Sequence, residues 1–144
     1  MSIIILSALF AISCSSGFAN KKGGTQFLDL SGAEHSELVS NYWLLSKSYP
    51  PQYPVSAARK GVSGCVKVVV GIGSDGRAKM FDVRSSFPEG VFDDYAISAL
   101  RQWRWEATAE NVNRTPVLAA INLDFTTRGK PDDPAYLGNC ESQQ

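Results

Sequence analysis

The stretch GCVKVVVGIGSDGRAKMFDVRS, residues 64–85, decides the fold. Val66, Val68, Val70 and Ile72 alternate with Lys67, Val69 and Gly71, and in an extended chain that spacing makes one face continuously apolar. Ser74-Asp75-Gly76-Arg77 is a turn signal, and Ala78 to Ser85 resumes as a strand with Phe81 and Val83 apolar, so the stretch predicts a β-hairpin. Further along, Val117, Ala119, Ile121, Leu123 and Phe125 alternate with Leu118, Ala120, Asn122 and Asp124 and predict a third strand. Between them, Pro88-Glu89-Gly90 breaks the second strand. A helix then runs from about Asp93 to Trp103, with Phe92, Ala96, Leu100 and Trp103 along one face. Asp93 and Asp94 fall in its first turn and Arg101 and Arg104 at its end, an arrangement the helix dipole favours.

Upstream of the hairpin, Tyr49-Pro50-Pro51-Gln52-Tyr53-Pro54 cannot be helix interior, because its prolines lack donors and push the preceding residues towards extended shapes. Pro54 can open a short helix, Val55 to Lys60, ended by Gly61. Residues 20–48 read as a linker followed by a helix over Ser31–Lys47, where Leu38, Tyr42 and Leu45 recur at helical steps. Residues 128–144 read as an irregular tail. The sum is an α+β domain, a three-stranded antiparallel sheet with helices packed on one face.

The 144 residues fit one domain with processed or flexible ends. Fourteen basic and fourteen acidic residues cancel, which argues against a general nucleic-acid binder. Ile3 to Ile12 is apolar except for Ser7, too short to cross a bilayer but suited to a signal peptide over 1–19. Ala11-Ile12-Ser13-Cys14 is an alternative, a weak lipobox with a signal of 1–13 and a lipidated Cys14. No Lys or Arg precedes the apolar run, which leaves open a start further upstream. Both readings export the chain, which is membrane-associated if Cys14 is lipidated or an N-terminal anchor precedes Met1. Setting Cys14 aside leaves Cys65 and Cys140, an even pair in a compartment that permits a disulfide. Such a bridge would contribute about 4 kcal/mol through loop entropy. Two unpaired thiols are the alternative.

The sequence predicts no enzyme, no metal, no cofactor and no small-molecule substrate. His35 is the only histidine, in a polar stretch without a Cys or His partner. Asp93-Asp94 reads as a helix first turn, and the glycines at 71, 73 and 76 open no helix that could cradle a phosphate.

In order, Gln52-Tyr53-Pro54, Gly64-Cys65-Val66-Lys67-Val68, Asp75-Gly76-Arg77, Phe92-Asp93 and Arg101-Gln102-Trp103-Arg104-Trp105 resemble the C-terminal domain of the TonB energy transducers, over residues 49–127. The resemblance implies strand addition to the last strand by the TonB box of an outer-membrane TonB-dependent receptor. Gln52, Tyr53 and Pro54 would lie beside the bound peptide, and Leu118, Ala120, Asn122 and Asp124 would mark the receiving edge. It further implies TonB-dependent transport across the envelope, with an inner-membrane proton-channel complex as a partner if the N-terminus extends further. An exposed edge also lets two copies pair as a homodimer. The alternative function is an envelope structural or assembly protein using the same fold on a non-receptor partner.

Overall fold

A computed structural model of the chain describes residues 24–127 and 133–140. The expected signal segment and Cys14 lie outside the described residues. In chain order the elements are β1 (Leu28–Asp29), a 3-10 helix (Ala33–Leu38) running into α1 (Val39–Tyr42), β2 (Trp43–Lys47), α2 (Val55–Lys60), β3 (Gly64–Ile72), β4 (Ala78–Phe87), α3 (Asp93–Leu100), β5 (Arg104–Ala107), β6 (Val117–Phe125) and α4 (Pro134–Cys140).

The hairpin β3–β4 and the strand β6 form the expected antiparallel core, with β3 in the middle. Two-residue β1 adds to the far side of β6 in the parallel sense, giving the order β1-β6-β3-β4. The alternation seen in the sequence is the alternation of the sheet. Val66, Val68, Val70 and Ile72 are buried on one face, opposite Leu123, Ile121, Ala119 and Val117 of β6. Against that face pack Ala57 of α2, Phe92, Ala96 and Leu100 around α3, and Trp43 and Trp105. Burying each large side chain contributes about 2 kcal/mol.

Two glycines are fixed by close approach. A Cβ on Gly64 would stand 1.9 Å from the carbonyl oxygen of Phe87 and 2.5 Å from the Phe92 ring. Gly76, at the hairpin tip, has φ +71° and a Cβ there would meet the Trp105 carbonyl oxygen at 2.0 Å. A hydrogen bond holds the two segments together at this point, the Trp105 amide donating to the Gly76 carbonyl at 2.9 Å. The Asp-Gly-Arg turn is thereby docked on β5 as well as closing the hairpin.

Three expectations change. The helix expected over Ser31–Lys47 is a 3-10 turn and one α turn, after which Trp43–Lys47 pairs antiparallel with β5 in a separate two-stranded sheet. The long helix ends at Leu100 rather than Trp103. There the Gln102 and Trp103 amides turn to carbonyls three residues back, tightening the last turn before β5 begins. The tail expected to be irregular contains α4, with Pro134 at its first position and the Asp133 carboxylate accepting the Ala135 amide at 2.9 Å.

A disulfide joins Cys65 of β3 to Cys140 of α4, with Cα atoms 5.7 Å apart. Cys65 alternates with the core valines, so α4 lies on the sheet face opposite α2 and α3. Tyr136 and Cys140 are buried there against Cys65, with Phe87 and Leu137 alongside.

Candidate functional site

The sequence nominates two surfaces, the outer edge of β6 and the segment Gln52–Pro54. β6 pairs with β3 through nine consecutive residues without a register shift, from Ile72↔Val117 to Gly64↔Phe125. On its other side the Leu28 amide donates to the Pro116 carbonyl at 2.9 Å and the Leu30 amide to the Leu118 carbonyl at 3.0 Å. The backbone groups of Leu118 therefore point away from β3. Alternation along a strand sends those of Ala120, Asn122 and Asp124 the same way. No other strand among the described residues pairs with β6 beyond Leu118.

The side chains of these four residues share the face that carries Cys65 and α4, since they lie opposite Gly71, Val69, Lys67 and Cys65. At the far end the Tyr136 hydroxyl of α4 donates to the Asp124 carboxylate at 3.2 Å. The tail thus touches the last turn of the candidate edge from above the sheet while its helix packs over β3 and β4.

Gln52, Tyr53 and Pro54 divide their roles. Gln52 is exposed and, with Pro50, Asp94, Tyr95, Ser98, Ala99 and Gln102, lines a cleft of about 310 Å³ along α3. Tyr53 turns inward. Its ring packs edge-on against Phe92 and Phe125, whose own rings stack at 4.4 Å. Its hydroxyl donates to the Val62 carbonyl and lies 3.5 Å from the carbonyl oxygen of Phe125, the last residue of β6. Burial holds the phenol above its ordinary pKa. Pro54 is buried at the head of α2. Tyr53 and Pro54 therefore anchor the segment against the end of β6, and the Gln52 amide is the member on display. Upstream, the Trp103 indole donates to the Tyr49 carbonyl at 2.9 Å and pins the segment to the end of α3.

Elsewhere the polar groups serve the scaffold. Lys79 donates to Asp75 at 2.6 Å, and this bond lowers the Asp75 pKa. The Ser31 hydroxyl and amide both donate to Asp29, and the hydroxyl is the main cause of its lowered pKa. His35 is exposed beside Glu34. Among the described residues no group of His, Cys, Asp and Glu could hold a metal ion, and no helix is long and apolar enough to cross a membrane.

What sequence reasoning missed is β1, which shares the candidate edge. Two residues carry too little periodicity to announce a strand, and only β6 gives them their partner.

Comparison with known proteins bears on these surfaces. The model of the Gram-negative bacterial TonB protein C-terminal family matches residues 49–127. "Protein TonB" of Pseudomonas aeruginosa is 42% identical over 57 residues, covering 40% of this chain and 17% of that relative. "Protein TonB" of Xanthomonas campestris pv. campestris is 33% identical over 76 residues, covering 53% of this chain and 34% of its own length. The match thus spans only 17% and 34% of the length of these curated relatives. The solution NMR structure of the Pseudomonas aeruginosa TonB C-terminal domain superposes with a TM-score of 0.55 and 26% identity, covering 72% of this chain and 96% of that one.

Proposed function

Because the chain belongs to the Gram-negative bacterial TonB C-terminal family, we propose that it is a non-enzymatic periplasmic module that captures an outer-membrane receptor by strand addition to β6. The observation that carries this reading is the straight outer side of β6, in register with the central strand along its whole length and paired from Ala120 onwards by no other strand among the described residues. The occupant is the extended box near the N-terminus of a TonB-dependent receptor. Main-chain bonds from Ala120, Asn122 and Asp124 supply affinity. Gln52, held at the Phe125 end of the strand by the Tyr53 anchor, supplies a side-chain amide beside the peptide. Participation in TonB-dependent transport, and coupling to an inner-membrane proton-channel complex, belong to the same proposal.

Titration of the ¹⁵N-labelled protein with a synthetic receptor-box peptide tests it. The expected result is binding in the micromolar range with the largest amide shifts at 120, 122 and 124. Absence of binding at high micromolar peptide, with Gln52→Ala indistinguishable from wild type, would favour an assembly role for the same fold on a non-receptor partner.

A further inference from the structure

The edge of β6 is not open along its full length, and the way it is closed sets a limit on what it can accept. Phe27 rests over Gly71 on one face of the sheet, its ring atoms 3.0 Å from where a Cβ would stand. Leu30, on the opposite side of the same short strand, is buried in the main core at 5% exposure. Between these anchors the Leu28 and Leu30 amides are bonded to the carbonyls of Pro116 and Leu118. β1 is therefore gripped from both faces and from the side. Beyond it the chain leaves the sheet at once, because the Asp29 carboxylate accepts both the amide and the hydroxyl of Ser31 and turns the backbone into the 3-10 helix.

Resting on the strand-addition reading, we propose that β1 is a built-in stop that restricts the recruited strand to the residues facing Ala120–Phe125. At a rise of about 3.3 Å per residue this window is about 20 Å long, enough for an extended peptide of about six residues. A longer partner segment gains no further main-chain bonds, since its next residue meets Leu30 and the Ser31 turn rather than a vacant stretch of β6. The stop also fixes register. A peptide slipped by two residues towards β1 would collide with it, and one slipped the other way would forfeit a pair of bonds. An end stop supplies the alignment that main-chain bonding alone leaves undetermined.

The test is a calorimetric series of receptor-box peptides lengthened in steps from about four to ten residues, read together with hydrogen exchange at the Leu28 and Leu30 amides. Each added pair of main-chain bonds contributes up to about tenfold in affinity, so affinity should climb to about six residues and then level. The two amides should keep their protection in the complex. Continued gain beyond eight residues, or loss of Leu30 protection on binding, would mean that β1 yields to the peptide and overturns the stop while leaving strand addition standing. No binding at any length overturns both.

Discussion

The sheet has two long edges, and they are built differently. β4 meets β3 with two register shifts, at Lys67/Val68 and at Gly71/Ile72, so its pairing is bulged and its local twist increased. Its side carries the ion pair Arg84–Asp82 at 3.1 Å, and Lys79 reaches Asp75 at its mouth. β6 meets the same central strand without a shift over nine pairs. Bulges and charge are what discourage a foreign strand from docking, and a straight, sparsely charged edge is what invites one. Bulges and charge thus mark the β4 side, and neither interrupts the pairing of β6 with the central strand. Exposure alone would not have told them apart; regularity of pairing does.

The most disruptive way to test this difference is to release the tail that covers the β3–β4 side. Cys140→Ser, or reduction of the wild-type protein, removes a cross-link spanning 75 positions. The expected loss is about 4 kcal/mol, read as a drop in Tm of roughly 15 °C or more. Gly64→Ala drives a methyl into the Phe87 carbonyl where β3, β4 and Phe92 converge. It should cost about 3 kcal/mol in a denaturant melt and damage both edges together. Ala120→Pro separates them. It deletes an outward-facing amide of β6, where proline is tolerated, so Tm should stay within a few degrees while peptide affinity falls at least about tenfold.

Tyr53→Phe should cost about 1 kcal/mol through loss of the hydroxyl bond to Val62. It also removes a pH dependence. The fold raises the phenol pKa above about 10, so the benefit of the neutral form is complete below that pH and fades as pH climbs through the raised value. Wild type should therefore lose Tm at alkaline pH more steeply than the phenylalanine variant. Finally, replacing Asp82 and Arg84 with alanine should leave peptide affinity within about twofold, since exposed ion pairs contribute little and β4 takes no part in the binding reading. A large loss there would move the receptive edge to β4.

The two edges were unequally legible before the structure. The valines of β3 and the alternation of β6 carry period two over nine residues each, long enough to outweigh every local competitor, so the sheet core and its covering helices could be read directly. The small sheet β2–β5 could not. Leu38, Tyr42 and Leu45 mimic a helical step, and the strand at Trp43–Lys47 exists because β5, some 60 positions away, lies alongside it. Trp43 is fixed there by its indole donating to the Thr115 carbonyl at 2.8 Å, a contact no local pattern announces. At the candidate site the sequence named two segments and left the posture of Tyr53 undecided. Whether a tyrosine displays its ring or sinks it depends on the neighbours folding delivers, here Phe92 and Phe125. The helix α4 was not legible in the tail, because so short a segment carries no period of its own and persists through its sulfur bridge to β3.

That bridge has a mechanical meaning. Residues 65 to 140 form a covalently closed loop that contains β4, α3, β5 and the whole of β6. On the strand-addition reading, a pull on β6 is borne sideways by the β1 bonds to Pro116 and Leu118 and by nine consecutive pairs with β3. Chain inside the loop cannot be paid out between its two sulfurs. The strand that carries the proposed edge therefore sits inside a loop that cannot lengthen.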